Sequence, residues 1–202
     1  MRIVVASGNS GKLRELSQLL AGLDVDLVTQ TACGVNSIEE TGASFMENAL
    51  LKARHASGQT GLPSIADDSG LEVDALGGAP GIYSARFAGS GASDADNNSK
   101  LIHALAGVPA ARRGARYRCV LAFVRTAADG EPLIAEGVWE GRIVDVARGD
   151  GGFGYDPHFW LDRLGRTVAE LEASAKNAMS HRGHAMRRLR QLIETRRAAE
   201  RA

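Results

Sequence analysis

Two pairs of adjacent carboxylates, Glu39-Glu40 and Asp67-Asp68, are the residues of this sequence best suited to hold a metal ion or to activate water. Magnesium prefers carboxylate oxygens, and it commonly takes one or two from a protein and others from a phosphate. Because side chains alternate along a strand, we expect only one of Asp67 and Asp68 to face a ligand. The run Asp67-Asp68-Ser69-Gly70 also fits a simple turn after a strand. The residues alone leave these alternatives open, and they leave the choice between Glu39 and Glu40 open too.

The segment Ser7-Gly8-Asn9-Ser10-Gly11-Lys12 could bind a phosphate group. It stands between a short apolar run and a helical pattern, so backbone N–H groups and a helix N-terminus would face an anion, and Lys12 would add a positive charge. It is not the common P-loop, because Gly8 and Gly11 are too close together and Leu13 stands where Ser or Thr should bind magnesium. An ordinary turn with a surface lysine is the alternative interpretation.

A second glycine-rich loop, Gly151-Gly152-Phe153-Gly154-Tyr155-Asp156-Pro157, combines small residues with aromatic rings. Small residues let a ligand approach the backbone, and aromatic faces suit a nucleobase; alternatively, Phe153 or Tyr155 anchors the loop in the core. Further along, Lys176 and Ser180-His181-Arg182-Gly183 lie one or two helical turns apart. They could therefore contact one anion or one purine edge, or they could be plain helix surface.

The elements that must position these residues alternate between strand and helix in the first half of the chain. Ser44, followed by Glu47 three residues later, is a capping-box pattern that predicts a helix start at Phe45. Apolar spacing predicts the other elements. These are strands at Ile3 to Ala6, Val25 to Thr29, Pro63 to Ala66 and Leu71 to Val73, with helices from Leu13 to Leu23 and from Phe45 to about His55.

The second half of the chain has a different order of predicted elements, with hairpins in place of alternating strands and helices. A glycine-rich segment from Gly77 to Arg86 is too irregular for a helix, and a polar helix start follows at Ser93 and Asp94. Three β-rich runs, separated by Asp129-Gly130 and by Gly141, predict an antiparallel meander. These runs are Tyr117 to Val124, Leu133 to Trp139 and Arg142 to Val146, and helices from Val168 to Leu171 and from Ala175 onward follow. The chain thus combines strand–helix units in its first half with hairpins in its second half.

Charge and composition restrict the possible partners. The 202 residues contain 24 Lys and Arg and 24 Asp and Glu, so no global positive field would recruit nucleic acid. A basic run near the C-terminus fits a solvated helix face better than an RNA-binding patch, because the neutral total gives it no support. It comprises Arg187, Arg188, Arg190, Arg196 and Arg197.

Cysteine usage and the N-terminus indicate the compartment. Cys33 and Cys119 have neither zinc-ligand nor CxxC spacing, so we expect them to be reduced, which favours the cytoplasm. The apolar run that begins at Ile3 is too short for a signal peptide or a membrane span. The sequence therefore predicts no membrane partner and no nucleic-acid partner.

In residue identity and in order along the chain, these motifs resemble those of the non-canonical purine nucleoside triphosphate pyrophosphatases, the family of the inosine triphosphate pyrophosphatases. The resemblance covers nearly the whole chain. It rests on SGNSGK at 7–12, EETG at 39–42, FMENALLKA at 45–53, IADDSGLEVDALGGAPGIYSARFAG at 65–89, GGFGYDPHF at 151–159, the lysine at 176 and SHRG at 180–183. One departure is Ser7, where the family commonly has threonine; both side chains carry a hydroxyl.

The resemblance implies an elongated α/β fold with a central mixed β-sheet flanked by helices, two lobes around a nucleotide cleft, and a homodimer. It implies one domain over residues 1–198 with a tail at 199–202. It also implies Mg²⁺-dependent hydrolysis of ITP, dITP and XTP to the monophosphate and pyrophosphate, which would cleanse the nucleotide pool.

The resemblance assigns roles to individual residues as well. Glu40 and Asp68 fall on magnesium, and Asp68 also accepts the proton of the attacking water, which leaves Asp67 as a neighbouring ligand or support. The residues that fall on the substrate are Ser7, Gly8, Asn9, Ser10, Gly11, Lys12, Lys52, Ser69, Phe153, Gly154, Tyr155, Asp156, Lys176, His181 and Arg182.

Two other functions remain open at this point. A triphosphate pyrophosphatase with another base preference would share the phosphate and metal residues, and a panel of nucleotides would separate the two. A nucleotide-binding module without catalysis is the other alternative. The carboxylates Glu40 and Asp68, together with Lys12, argue against it, and detectable turnover would exclude it.

Overall fold

The computed structural model describes residues 2–7 and 25–199. Within these residues the centre of the fold is a seven-stranded sheet with the order β2-β1-β3-β4-β5-β6-β7. The strands are β1 (Arg2–Val5), β2 (Asp26–Thr29), β3 (Ser64–Val73), β4 (Gly114–Val124), β5 (Leu133–Ile143), β6 (Phe159–Leu161) and β7 (Arg166–Thr167).

The sheet is mixed. β1 pairs in parallel with β2 and β3, whereas β6 pairs antiparallel with β5 and β7. In the described part of the chain, the α-helices are α1 (Phe45–Thr60), α2 (Asp94–Ala104), α3 (Ala173–Met179) and α4 (His181–Ala199). This confirms the predicted α/β class. The predicted phosphate segment Gly8 to Lys12 and the predicted helix from Leu13 to Leu23 lie outside the described residues.

The chain divides into two compact units, each with a hydrophobic core. The first unit takes its described residues from Met1–Asp68, Cys119–Gly137 and Arg182–Ala202, and the second from Ser69–Arg118 and Val138–His181. In the first core, α4 packs against strands through Ala185, Met186, Leu189 and Ile193, with Ile3, Val5, Ile65, Leu121 and Phe123 among their neighbours. The second core includes Leu71, Val73, Leu101, Leu105, Tyr117, Tyr155, Phe159 and Leu161.

Helix α1 begins where the capping pattern predicts. The Ser44 side chain accepts a hydrogen bond from the backbone N–H of Glu47, and the Glu47 carboxylate accepts one from the N–H of Ala43. The helix ends at Thr60, five residues beyond the predicted end, because the first left-handed backbone position is Gly61, with φ of 69°. The helix carries Asn48 and Lys52 on consecutive turns.

The prediction of two short strands, at Pro63 to Ala66 and at Leu71 to Val73, is wrong, and the alternative of a turn at Asp67 to Gly70 is excluded as well. Strand β3 runs without a break from Ser64 to Val73, so Asp67 and Asp68 lie in mid-strand rather than at a strand end. Both are buried, with 1% and 4% of their surface exposed. Buried carboxylates in a strand require partners from other elements, and those partners cannot be read from the local pattern.

The strand boundary predicted at Gly141 is also wrong, because β5 passes through this residue from Leu133 to Ile143. A Cβ atom at Gly141 would lie 2.5 Å from the Phe159 ring on β6. This glycine allows a close approach between neighbouring strands and does not mark a turn.

The predicted C-terminal helix from Ala175 onward is two helices. Ser180 has an extended backbone, with φ of −69° and ψ of 158°, and it separates α3 from α4. In the glycine-rich segment before α2, residues Gly81–Arg86 form a short 3₁₀ helix. None of the helices in residues 2–7 and 25–199 is both long and apolar enough to cross a membrane.

Candidate functional site

A buried cluster in the first unit brings together three of the predicted site residues. The Lys52 ammonium on α1 lies 2.6 Å from Oε1 of Glu40 and 3.1 Å from Oδ1 of Asp68. Its side chain is 14% exposed, and those of Glu40 and Asp68 are 25% and 5% exposed. Of the two adjacent glutamates, Glu39 is exposed. The cluster is therefore accessible from the Glu40 side and enclosed around Asp68.

Asn48 belongs to the same cluster, although the sequence analysis missed it. Its Nδ2 donates to Oδ2 of Asp68 at 3.2 Å, and its Oδ1 accepts from the backbone N–H of Gly42 at 2.8 Å. A Cβ atom at Gly42 would lie 2.7 Å from that Oδ1, so the glycine after Thr41 lets the segment that carries Glu40 reach α1. The signal that could have found Asn48 is its position four residues before Lys52, on the same helix face.

The electrostatics of this cluster keep Lys52 charged. Burial opposes a positive charge there, but the carboxylates of Asp68, Asp67 and Glu40 outweigh it and raise the pKa of Lys52. With Lys52 protonated and Glu40 and Asp68 ionised, these three groups carry one negative charge in excess.

Asp67 points to a different partner. Its Oδ2 lies 3.5 Å from Nε of Arg182 on α4, and both side chains are fully enclosed, at 0% and 1% exposed. The two neighbouring aspartates thus lie against different cations, as alternation along a strand requires. Arg182, a predicted substrate contact, is in this conformation an internal partner of β3.

The donor set around Lys52 suits a hard divalent cation. Glu40 and Asp68 offer carboxylate oxygens, and the excess negative charge of the cluster would be neutralised by such an ion. Within the described part of the chain, no group of three or more His, Cys, Asp or Glu side chains is arranged to hold a metal ion. A cation bound here would need further oxygens from water or from a phosphate.

A second buried cluster lies in the second unit, around Asp156 of the glycine-rich loop. Its Oδ2 accepts from the Lys176 ammonium at 2.7 Å and from the backbone N–H of Phe153 at 2.9 Å, and its Oδ1 accepts from the Tyr117 hydroxyl at 3.0 Å. The Lys176 ammonium also lies 4.4 Å from the centre of the Phe153 ring. The loop and Lys176, which lies 20 residues after Asp156 in sequence, are therefore held together by this carboxylate.

Tyr117 is the second residue that the sequence analysis missed. Besides its bond to Asp156, its ring stacks on that of His181 with 4.8 Å between centroids and 15° between planes. Burial raises the pKa of Asp156, and the hydrogen bonds from Lys176, Phe153 and Tyr117 oppose this rise. Tyr117 thus links two predicted site residues that belong to different segments.

The remaining predicted residues lie in or beside these clusters. Tyr155 belongs to the second core, and its hydroxyl donates to the carbonyl of Ser84 at 2.8 Å, which is the core alternative considered for this loop. Phe153, Gly154 and Ser69 are partly exposed, and Ser7 is buried after β1. The roles assigned to these residues toward a substrate remain predictions.

Comparison with known proteins agrees with this architecture. The dITP/XTP pyrophosphatase of Erwinia tasmaniensis is 58% identical over 185 residues, which are 92% of this chain and 90% of that protein. The dITP/XTP pyrophosphatase of Thioalkalivibrio sulfidiphilus is 55% identical over 196 residues, 97% of this chain and 100% of that protein. The solved structure of a HAM1 protein from Coxiella burnetii superposes with a TM-score of 0.90 at 48% identity and covers 96% of this chain and 99% of that one. A model of the Ham1 family matches residues 3–192, and the chain belongs to the Ham1 family.

Proposed function

We propose that this chain hydrolyses non-canonical purine nucleoside triphosphates, namely ITP, dITP and XTP, to the nucleoside monophosphate and pyrophosphate. The observation that carries the proposal is the pair of carboxylates, Glu40 and Asp68, that converge on Lys52. Such a cluster suits the phosphate end of a nucleotide. The similar proteins from Erwinia tasmaniensis and Thioalkalivibrio sulfidiphilus are dITP/XTP pyrophosphatases, and this supports the choice of substrate.

In the proposed reaction, Asp68 accepts a proton from water while the water oxygen forms a bond to the α-phosphorus. The bond from the α-phosphorus to the bridging oxygen breaks, and pyrophosphate leaves with that oxygen. Asp68 is suited to this role because Lys52 and Asn48 each hold one of its oxygens and so fix its orientation. Lys52 remains a positive charge beside the phosphates.

Glu40 and Asp68 would hold Mg²⁺, whose contribution when bound is to neutralise charge on the phosphate oxygens and on the leaving group. Ser7 to Lys12 would bind the outer phosphates. Lys52 contacts both carboxylates and would place its positive charge beside the bound phosphates.

The cluster around Asp156 is proposed to bind the base. A 6-oxo purine presents an acceptor where adenine has an amino donor, so N–H donors from Lys176, His181, Arg182 or the loop backbone would pair with the former only. A buried donor without a partner costs about 1–3 kcal/mol, which is roughly tenfold to a hundredfold in selectivity. The partly exposed Phe153 ring would offer a face for stacking.

A panel of nucleoside triphosphates, assayed for pyrophosphate release, tests this proposal. We expect kcat/KM for ITP, dITP and XTP to exceed that for ATP by at least about a hundredfold, with turnover abolished by chelation and restored by Mg²⁺. Equal rates on ATP, or preference for a pyrimidine, would refute the substrate assignment.

Variants test the residue roles. Asp68→Asn should lower kcat by at least about a hundredfold in a folded protein. Glu40→Gln should raise the Mg²⁺ concentration that gives half-maximal rate, whereas Glu39→Gln, one residue away and exposed, should not. Near-normal turnover by folded Asp68→Asn would remove Asp68 from the mechanism.

We also propose that the chain acts in the cytoplasm as a homodimer. The free cysteines, Cys33 and Cys119, fit a reducing compartment. Light scattering coupled to size-exclusion chromatography would test the dimer, and a monomer mass at micromolar concentration would contradict it. Fractionation of the source cells would test the location.

A further inference from the structure

Gly154, in the middle of the glycine-rich loop, has both of its backbone polar groups held by helix α2. Its N–H donates to Oδ2 of Asp94 at 2.6 Å, and its carbonyl accepts from Nδ2 of Asn98 at 2.8 Å. The same Asn98 amide donates to the backbone carbonyl of Asp94, also at 2.8 Å. Two side chains one helical turn apart therefore hydrogen-bond to a single residue that lies more than fifty positions away in sequence.

The start of α2 is itself firmly anchored. Ser93 and Asp96 form a reciprocal capping box at its N-terminus. The adjacent Asn97 is 4% exposed, and it accepts from the N–H of Ala88 and donates to the carbonyl of Ala85. The two Asn97 bonds hold the helix to residues 85–88 independently of the cap, and a helix held in this way can fix the position of the loop that it contacts.

The two hydrogen bonds to Gly154 also restrict the residues on either side of it. Its two bonds fix the peptide groups before and after a residue with φ of 63°, and these groups lead to Phe153 and to the segment that carries Asp156. The Phe153 N–H in turn bonds to Asp156, and the Phe153 ring lies against Lys176. The orientation of the Phe153 ring and of the Asp156 carboxylate therefore depends on the position of Gly154.

We infer that Asp94 and Asn98 are positioning residues of the base-binding loop, which set the affinity for the purine and the discrimination between bases without touching the nucleotide. This inference rests on the proposed function, because that proposal assigns the loop to the base. Asn98 is the more important of the two residues, because its amide joins the Gly154 carbonyl to the helix backbone. Removal of this side chain would release the Gly154 carbonyl. The chemistry at the phosphate end would be unaffected.

The test compares two variants of the same helix. Asn98→Ala removes the bond to Gly154. Asp96 hydrogen-bonds to Ser93, whereas the Gly154 bonds come from Asp94 and Asn98, so Asp96→Ala removes half of the capping box and controls for a weakened helix. We expect Asn98→Ala to raise KM for ITP about tenfold with kcat changed less than about threefold, and to narrow the ratio of kcat/KM between ITP and ATP by a similar factor. Asp96→Ala should leave both values within about twofold of the parent even if it melts at a lower temperature.

Asp94→Ala and the double variant add an independent measurement. Both side chains act on one residue, so the KM of the double variant should rise by less than the product of the two single effects. Hydrogen exchange of the backbone amides in residues 151–156 should accelerate in Asn98→Ala and not in Asp96→Ala.

The outcomes separate this inference from the proposal on which it rests. A parent protein that does not hydrolyse ITP would refute the proposed function and the kinetic part of the inference together. An active Asn98→Ala variant with unchanged KM, unchanged selectivity and unchanged exchange would refute the inference alone. A KM increase of equal size in Asp96→Ala would also refute it, because the effect would then follow from the helix and not from the contact with Gly154.

Discussion

Gly152, two residues before Gly154, offers a sharp test of how the Asp156 cluster is built. Its backbone φ is 75°, and a Cβ atom added there would lie 2.1 Å from Oδ2 of Asp156 and 3.0 Å from its Cγ. Real Cβ contacts essentially never fall below 3.0 Å, so in Gly152→Ala this carboxylate oxygen must move by roughly 0.9 Å or more. That oxygen accepts the hydrogen bonds from Lys176 and from the Phe153 N–H.

The same loop supplies the matched control. Gly154 also has a positive φ, of 63°, but a Cβ atom there would meet nothing within 4 Å. Alanine in the left-handed region costs about 1–2 kcal/mol, of which about 0.4–1 kcal/mol is offset by the reduced freedom of the unfolded chain. Gly154→Ala should therefore lower the free energy of unfolding by about 1 kcal/mol.

Gly152→Ala adds the loss of the Asp156 contacts to this cost. A hydrogen bond to a charged group contributes about 1.5–3 kcal/mol, and displacement weakens two of them, so we expect a further loss of about 2–4 kcal/mol. Urea unfolding of both variants at pH 7, with unchanged m-values, measures the difference. If the two variants lose the same stability to within about 0.5 kcal/mol, the claim that Gly152 is required by the Asp156 carboxylate is wrong.

Three further predictions use other parts of the molecule. In ¹⁸O-labelled water, a single turnover on ITP should put the label in inosine monophosphate and none in pyrophosphate; label in pyrophosphate, or release of inosine diphosphate, would contradict attack at the α-phosphorus. Burial opposes ionisation of Asp129, but hydrogen bonds from Arg125 and from the N–H of Glu131 lower its pKa to about 2. Ionised Asp129 therefore stabilises the folded protein above the unfolded pKa, and this contribution to the free energy of unfolding is lost as the pH falls toward the folded pKa. Asp129→Asn should accordingly lower the free energy of unfolding in urea by about 2 kcal/mol at pH 7 and by roughly half of that at pH 3. An equal cost at both values would rule out the linkage. Tyr117→Phe removes a hydrogen-bond donor to the Asp156 carboxylate, whose pKa is raised by burial. The variant should lose about 1–3 kcal/mol of unfolding free energy, and this loss should grow as the pH rises through the raised pKa of Asp156, where the carboxyl ionises. A cost independent of pH would show that this hydroxyl does not support the ionised carboxylate.

Local signals in the sequence predicted local structure well. The start of α1 follows from Ser44 and Glu47 because a helix cap depends on residues three positions apart. The same holds for α2, where Ser93 and Asp96 form a capping box. Apolar spacing distinguishes individual strands from helices, since the period of a strand differs from that of a helix. The α/β class itself was predicted from the family resemblance.

Features that depend on distant partners could not be predicted in this way. Asn48 bonds to Asp68 across 20 positions and Tyr117 to Asp156 across 39, and no spacing rule connects either pair. The continuity of β3 through Asp67 and Asp68 was missed for the same reason. Two adjacent acids resemble a turn until Arg182 on α4 and Lys52 on α1 are placed beside them. The preference for Glu40 over Glu39 came from the family resemblance and not from spacing.

The mid-strand position of the two aspartates explains how one short segment can serve both the fold and the reaction. A strand directs neighbouring side chains to opposite faces, so Asp67 and Asp68 enter different environments although only one peptide bond separates them. Asp67 lies against Arg182, whose guanidinium does not lose its proton in proteins, so a permanent positive charge faces this carboxylate. Asp68 shares Lys52 with Glu40, and the three groups retain a negative charge that can attract a cation or accept a proton. A turn at this point would leave both carboxylates exposed to solvent and without a fixed direction. The continuous backbone of β3, which makes the segment hard to predict, is also what holds Asp68 in one orientation.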